Sequence, residues 1–232
     1  MKYKIYIFDY YNFCYTNSGD KMKTIKKPIV RVPLEQYTGT LEHQDTSNNI
    51  EYYLIEDQEL MGKENYRIIF DTCQFNRVTF SNNEFLKSEF IDCIFDNCDL
   101  SNNSFIQSTF MRCEFINCKL TGSHIVESYL HHVVIKNCIG KYLDFAECKM
   151  NILEFKDCMF EESSFFNNNL KYVSFNTVNL EKASFFESSL KDIDLSTCEL
   201  SGLKIDLKSI EGSTISPYQA KEVCHLLGIK VK

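Results

Sequence analysis

Cysteine is the residue type in this sequence with the most obvious capacity for chemistry. The 232-residue chain holds 11 cysteines, and pairs such as Cys113 and Cys118 lie five residues apart. Thiolates at short spacing can coordinate zinc, and a thiol can form a disulfide or act as a nucleophile. A zinc site, however, usually takes four converging ligands from Cys-x₂₋₄-Cys pairs. No nucleophile elbow or phosphate loop accompanies the cysteines, so the sequence predicts no enzyme, no cofactor and no metal site.

The spacing of the cysteines belongs to a period of five residues. From residue 70 to residue 215 every fifth residue is large and apolar, except Gly140. Two residues before each of these axial positions lies a small-residue slot, and this slot holds nine of the cysteines: Cys73, Cys93, Cys98, Cys113, Cys118, Cys138, Cys148, Cys158 and Cys198. Neither helical nor strand periodicity produces the pattern. Because reduced cysteine packs like a small hydrophobe, we expect these nine to be buried structural residues.

A chain with two inward positions in every five residues turns a corner once per repeat. Four such sides close a coil of 20 residues, with the large residues on the axis and the coils stacked at about 4.8 Å, the strand spacing. Residues 20 apart then lie above one another. The slot supports this, because Cys73, Cys93 and Cys113 fall on one side of the coil. Like residues stack on like in solenoids.

Repeats such as "CEFIN", "CKLTG" and "CDLSN" resemble those of the pentapeptide-repeat proteins. The resemblance covers residues 66–215 and implies an all-β solenoid, the right-handed quadrilateral β-helix. Residues 1–65 form an N-terminal extension of uncertain structure, in which residues 50–62 show roughly helical apolar spacing. Met22 is an alternative start.

The segment after the repeats predicts a short helix. Ser216 is a good N-cap residue and Pro217 suits the first helical position. The sequence "SPYQAKEVCHLLGIKV" is similar to the C-terminal module of the Qnr and MfpA-like branch of the family. In that branch the module, here residues 216–232, pairs two rods end to end as a homodimer. The resemblance implies an interface formed by Tyr218, Ala220, Val223, Leu226, Leu227 and Ile229.

The same resemblance implies a function. Qnr-like rods imitate duplex DNA, bind DNA gyrase or topoisomerase IV, and act against quinolones or topoisomerase-poisoning toxins. Residues 66–216 hold 21 acidic and 14 basic side chains, which agrees with an acidic rod and argues against direct binding of nucleic acid. Qnr-type rods carry loop insertions linked to drug protection. The register here never slips between residues 70 and 215, so protection and inhibition both stay open.

One outward column of the predicted rod is apolar. On one side of the coil, the residue directly after the axial position is apolar in six successive coils. These residues are Leu86, Ile106, Val126, Ala146, Phe166 and Phe186, and we call this column the apolar stripe. Exposed apolar patches usually mark interaction surfaces. Either the N-terminal extension covers the stripe or a partner protein binds it. The second reading gives an alternative function, a structural or scaffolding repeat protein.

Three smaller expectations complete the sequence analysis. The missing side chain of Gly140 should leave a void, produce a bend, or be replaced by Ile139 or Tyr142 leaning inward. His131 and His132 occupy outward positions and should be solvated. The chain shows neither an export signal nor a run of 18 apolar residues, so we expect a cytoplasmic protein without a membrane span.

Overall fold

The computed structural model describes residues 23–30, 33–37, 49–61, 64–226 and 230. These residues form short strands and, near the C-terminus, two short helices, α1 (Leu207–Ile210) and α2 (Ala220–Leu226). The strands are β1 (Glu35–Gln36), β2 (Asn49–Glu51), β3 (Tyr53–Glu56), β4 (Glu59–Met61), β5 (Asn65–Tyr66), β6 (Ile69–Asp71), β7 (Gln74–Asn76), β8 (Thr79–Ser81), β9 (Glu84–Leu86), β10 (Glu89–Ile91), β11 (Ile94–Asp96), β12 (Ser104–Ile106), β13 (Thr109–Ile116), β14 (His124–Val126), β15 (Tyr129–Lys136), β16 (Asp144–Ala146), β17 (Lys149–Lys156), β18 (Ser164–Phe166) and β19 (Asn169–Asn176).

Parallel pairing with a shift of 20 residues builds the solenoid. Phe90 of β10, for example, lies between Phe70 of β6 and Phe110 of β13. We number the four sides of a coil by their axial residues: side 1 carries Phe90, side 2 Phe95, side 3 Leu100 and side 4 Phe105. Side 3 continues beyond β8 as isolated parallel bridges such as Asp99↔Lys119. This register confirms the predicted quadrilateral β-helix.

A left-handed residue turns the chain at each corner. The residue two places after the axial position has φ near +55°, as in Arg77 (53°), Asn97 (55°) and Asn117 (55°). Asparagine and aspartate adopt this conformation more readily than most residues, yet the β-branched Ile152 also adopts it, at 62°. The corners are therefore imposed by the stacking of the coils as well as by local preference.

Phenylalanine rings fill the axis in stacks. On side 2 the rings of Phe75, Phe95 and Phe115 lie parallel, with successive centroids 4.6 Å apart. Rings on neighbouring sides, such as Phe85 and Phe90, meet edge to face. Both arrangements suit the quadrupole of the aromatic ring. The coil spacing thus matches the spacing that stacked rings prefer, which explains why this axis accepts so many phenylalanines.

The gap at Gly140 is filled from the neighbouring slot. A Cβ atom placed on Gly140 would lie 2.9 Å from Cδ1 of Phe160 and 3.0 Å from Cδ2 of Leu143. Leu143 is fully buried, whereas Ile139 and Tyr142 are 50% and 52% exposed. The prediction that Ile139 or Tyr142 would lean inward was therefore wrong. The small-residue slot supplies the side chain, because it already points toward the axis.

The coils begin earlier than the sequence pattern suggested. Strands β2, β3 and β4 pair with β6, β7 and β8, so residues 49–61 form part of another coil. The helical interpretation of residues 50–62 was wrong, since Ile50, Ile55 and Leu60 carry the five-residue period. Asn65 hid this continuity. It occupies an axial position although it is polar. Its buried side chain donates from Nδ2 to Oδ1 of Asn83 (3.2 Å).

Strand β1 continues the stack by pairing with β3. Among the described residues no helix has the length and apolar character to cross a bilayer.

Candidate interaction surfaces

The small-residue slot carries hydrogen bonds between coils. Cys113 Sγ donates to the carbonyl oxygen of Phe90 (3.2 Å) and Cys148 Sγ to that of Ile125 (3.1 Å), 23 residues earlier in each case. Ser108 makes the same contact with the carbonyl of Phe85 (3.1 Å). The slot thus selects small residues that also donate. Sequence reasoning treated these cysteines as apolar filler and missed the donor, although the alternation of Cys, Ser and Asn could have indicated it.

The slot cysteines are poor nucleophiles and poor metal ligands. All nine are buried free thiols, and no cluster of three metal-ligating side chains exists in the described parts of the chain. Burial raises the pKa of Cys73 and of Cys148 to about 12, so both stay protonated at neutral pH. The five-residue spacing therefore reflects the geometry of the coil.

Thiol labelling of the folded protein is expected to leave these nine cysteines unmodified. Because each is buried, a disulfide reagent should reach them only after denaturation. Half-buried Cys224, on α2, serves as the internal reference for an accessible thiol. Mass spectrometry after a pulse of reagent, with and without guanidinium, measures this. Rapid native labelling of Cys113 or Cys118 would contradict it.

Several charges on the rod surface pair between stacked coils. Arg77 bridges Asp57 one coil below (2.6 Å), and Lys119 bridges Asp99 in the same way (3.5 Å). At the exposed corner after side 4, Glu127 and Glu147 lie on adjacent coils, and Glu187 lies two coils further on, beyond Asn167. We call these three glutamates the acidic corner.

An open groove lies on side 3. It encloses about 410 Å³ and is lined by Ile139, Lys141, Met159, Glu161, Glu162, Glu181 and Lys182. Lys141 pairs with Glu162 (3.2 Å) and Lys182 with Glu181 (2.8 Å), so its charges oppose one another. The groove offers a mixed surface.

The apolar stripe exists as a column on side 4. Parallel pairing places Leu86, Ile106 and Val126 above one another, followed by Ala146 and Phe166. The first members are half-buried, whereas Phe166 and Phe186 are 39% and 43% exposed. The accessible part of the stripe therefore lies toward the C-terminal end. Whether residues 1–22 cover it lies outside the described residues.

The C-terminal helix starts with a reciprocal cap. The backbone N–H of Gln219 donates to Oγ of Ser216 (3.4 Å), and Oε1 of Gln219 accepts from the N–H of Ser216 (2.6 Å). Ser216 therefore caps the turn that leads into α2, and the helix itself begins at Ala220, later than the predicted start at Pro217. Nε2 of Gln219 also donates to the carbonyls of Leu195 and Cys198 (2.8 and 2.6 Å), so this side chain closes the last coil.

The predicted dimer residues are only partly described. Tyr218 is 94% exposed, while Ala220 and Val223 are half-buried. The side chain of Leu226, and Leu227 and Ile229 altogether, lie outside the described residues. Tyr218 is therefore the candidate interface residue that the rod plainly presents to solvent.

A segment before the coils lies along one corner of the rod. Residues 23–30, which we call the strap, contact the corner between sides 1 and 2. The N–H of Ile29 donates to Oδ1 of Asp92 (2.9 Å), and the N–H of Lys26 donates to Nδ1 of His132 (3.0 Å). Nζ of Lys23 lies 5.3 Å from the ring centroid of Tyr172. These contacts reach this corner, which is separate from the apolar stripe.

His132 is buried beneath this segment, so the prediction of a solvated side chain was wrong. Burial lowers the pKa of His132 to about 4, and His131, Lys26, Arg112 and Lys23 add to the effect by their positive charge. The neutral ring leaves Nδ1 free to accept from Lys26.

Acid is therefore expected to loosen the strap. With the strap seated, the pKa of His132 is about 4, below its usual 6.5. The neutral ring therefore stabilises the seated strap fully above pH 6.5, and this stabilisation is lost as the pH falls from 6.5 toward 4. Between pH 7 and pH 5 the protection of the Lys26 amide against hydrogen exchange, corrected for intrinsic rates, should fall by up to about 20-fold. His132→Asn keeps an acceptor but does not titrate. An equal loss in that variant would contradict the assignment.

The central coils are similar to a known repeat family. Residues 108–185 match the sequence model described as the pentapeptide repeat region. A search of curated proteins finds no significant relative.

Two solved structures are similar in part. A trypsin-treated variant of QnrB1, a plasmid-mediated fluoroquinolone resistance protein, aligns over 86% of this chain and 96% of its own, with 20% identity and a TM-score of 0.43. HetL, a pentapeptide repeat protein involved in heterocyst differentiation regulation in Nostoc sp. strain PCC 7120, aligns over 75% of this chain and 92% of its own, with 12% identity and a TM-score of 0.38. The stacked coils and the matched segment together show that this chain contains a pentapeptide-repeat β-helix.

Proposed function

We propose that this chain is a non-catalytic rod that imitates duplex DNA and binds the DNA-binding groove of a type II topoisomerase, DNA gyrase or topoisomerase IV. Binding would protect the enzyme from, or modulate its response to, quinolones or topoisomerase-poisoning toxins. The observation that carries the proposal is the filled axis. Phenylalanine stacks occupy the inside of the rod, so a partner must bind on the outer surface. That surface belongs to residues 66–216, which hold 21 acidic and 14 basic side chains.

The acidic corner formed by Glu127, Glu147 and Glu187 is the part of this surface that best suits a basic groove. It is exposed, Glu127 and Glu147 are stacked at the coil spacing with Glu187 two coils further on, and it lies away from the Arg77 and Lys119 ion pairs. An interaction of this kind steers association electrostatically and weakens as salt rises.

A supercoiling assay with purified gyrase tests the proposal. The full chain, added at micromolar concentration with and without a quinolone, is expected to change supercoiling or drug-stabilised cleavage. The triple variant Glu127→Gln, Glu147→Gln and Glu187→Gln should weaken the effect and reduce its salt dependence. If the wild-type chain changes neither supercoiling nor drug-stabilised cleavage, with gyrase or with topoisomerase IV, the proposal is wrong.

The exposed phenylalanines favour a second function, scaffolding through the apolar stripe. Phe166→Ser with Phe186→Ser removes exposed apolar surface without entering the core. Binding through the stripe should be lost in this variant and should depend little on salt. Binding through the acidic corner should survive it, so the two variants separate the two functions.

We also propose that two rods pair end to end through the C-terminal segment. The exposed ring of Tyr218 beside the capped last coil supports this arrangement. Leu227→Asp should halve the mass measured by light scattering, and Tyr218→Ser should weaken the dimer. An unchanged mass in both variants would exclude this interface. The free thiols of the slot suit a reducing compartment such as the cytoplasm.

A further inference from the structure

The corner under the strap differs in burial from the other corners of the rod. At the corner between sides 1 and 2, Thr72, Asp92, His132 and Ile152 are 5%, 6%, 7% and 4% exposed. Asp192, one coil beyond Tyr172, is exposed again. Residues in the same position of the repeat at the remaining corners are exposed: Lys87, Gln107, Glu127, Glu147, Asn167 and Glu187 on one; Arg77, Asn97, Asn117, Asn137 and Asp157 on another; Asn82, Asn102, Tyr142, Glu162 and Lys182 on the third. The burial thus follows the strap and extends one coil beyond Asp92, to Thr72.

The strap and the corner share a regular spacing. Ile29, Lys26 and Lys23 follow one another at three-residue intervals, and they contact Asp92, His132 and Tyr172, which are two coils apart in each case. Three residues of extended chain span about 10 Å, and two coils span about the same distance. The corner therefore contacts every third residue of an extended chain. Pro28 keeps that chain extended, because it also restricts the residue before it.

Recognition at the corner uses side-chain acceptors for backbone donors. Oδ1 of Asp92 accepts from Ile29, while both carboxylate oxygens of Asp92 accept from Arg112 (2.7 and 2.6 Å). Arg112 thus orients the carboxylate. Nδ1 of His132 serves as the second acceptor. Because these bonds go to backbone N–H groups, an extended peptide of a different sequence can make them too.

Charge sets which peptides fit. The strap "KTIKKPIV" contains three lysines and no acidic residue. Lys23 lies over the ring of Tyr172, and the positive charge of Lys27 opposes the rise that burial causes in the pKa of Glu114. Facing this basic segment are Glu114, the ring of Tyr172, which Lys171 also approaches (5.4 Å), and Asp92, whose carboxylate is shared with Arg112. The carboxylates and the ring favour a basic, extended ligand.

We infer that this corner is a peptide-binding groove for an extended basic segment of a partner protein, and that the strap occupies it as a displaceable intramolecular ligand. A partner peptide gains access when the strap leaves, so the strap lowers its apparent affinity. This site is separate from the acidic corner after side 4 and does not depend on binding to a topoisomerase.

Hydrogen exchange on the wild-type full chain provides the first test. The amides of Lys26 and Ile29 should be protected, but at least about 100-fold less than a coil amide such as Tyr129, which donates to the carbonyl of Ser108 (2.9 Å), because a displaceable strap opens locally. Strap amides that exchange at the intrinsic rate would show that the strap is not seated. Strap amides that exchange only with the coil amides would show that it is not displaceable. Either result overturns the inference.

Peptide binding provides the second test. The full-length variant Lys26→Pro with Ile29→Pro removes both strap donors and leaves the corner intact. A fluorescent peptide, KTIKKPIV, should bind this variant at least about 10-fold more tightly than the wild type, since two hydrogen bonds no longer hold the strap in competition.

Two control peptides define the recognition. Methylation of the amide nitrogens that correspond to Lys26 and Ile29 removes the donors but keeps the side chains, and should abolish binding. Glutamate at the three lysine positions should do the same through charge. Failure of KTIKKPIV to bind the folded proline variant, or equal binding of the methylated peptide, overturns the inference. If the variant does not fold, hydrogen exchange on the wild type decides.

Discussion

Phe95→Ala is expected to lower the free energy of unfolding by about 3–5 kcal/mol, the usual cost of removing a buried phenyl ring. Phe95 is fully buried, and its ring stacks between those of Phe75 and Phe115 with both centroids 4.6 Å away. The substitution would empty the centre of the longest regular stack on side 2. Neighbouring coils cannot close the gap, because strand pairing fixes their separation. Chemical denaturation followed by circular dichroism measures the change.

Two variants control this prediction. Phe186→Ala removes the same ring from an exposed position and should change stability by no more than about 0.5 kcal/mol. Phe95→Leu should cost less than about 1.5 kcal/mol, because leucine already fills axial positions such as Leu100 and Leu120. Equal losses in Phe95→Ala and Phe186→Ala would show that axial stacking does not determine stability.

Gly140→Leu restores the regular pattern of the sequence and is nevertheless expected to destabilise the fold, by about 1–3 kcal/mol. Phe160 and Leu143 already occupy the space where the new side chain would lie, at 2.9 and 3.0 Å from a Cβ atom. Gly140 does not lie in the left-handed region, so the cost is steric and not a matter of backbone conformation. The same denaturation experiment measures it.

A double-mutant cycle isolates the steric cause. Leu143→Ser alone should destabilise by about 2–4 kcal/mol, because it leaves a cavity beside Gly140. The combination of Gly140→Leu with Leu143→Ser reproduces the ordinary axial and slot residues and should recover most of the stability, giving a strongly favourable coupling energy. If Gly140→Leu alone is as stable as the wild type, Leu143 does not fill the gap.

The three surfaces that support a binding function differ in how they could be found. Regular spacing exposes the apolar stripe and the acidic corner, because residues 20 apart must stack once the coil is known. The groove beneath the strap follows no such rule. Asp92, His132 and Tyr172 differ in type, and only their shared contact with residues 23–30 makes them one site.

Burial at this groove also explains why His132, which was predicted to be solvated, is not. In the repeat it occupies an outward corner position, and the equivalent residues Asn117 and Asn137 are exposed. In the described structure the segment that lies over it, residues 23–30, is more than 100 residues earlier in the chain. No local pattern predicts a contact of that separation.

The sequence alone determined the five-residue period, the 20-residue register and the structural role of the nine slot cysteines, and the resemblance of its repeats to pentapeptide-repeat proteins supplied the four-sided coil. The sequence could do so because each coil of a solenoid contacts only its neighbours, so one local rule repeated along the chain specifies the whole stack. The tertiary structure decided what breaks that rule: Leu143 filling the space at Gly140, Asn65 on the axis of the first coil, Gln219 closing the last one and the strap over His132. Each of these depends on a single long-range contact or a single packing choice, which a periodic pattern does not encode.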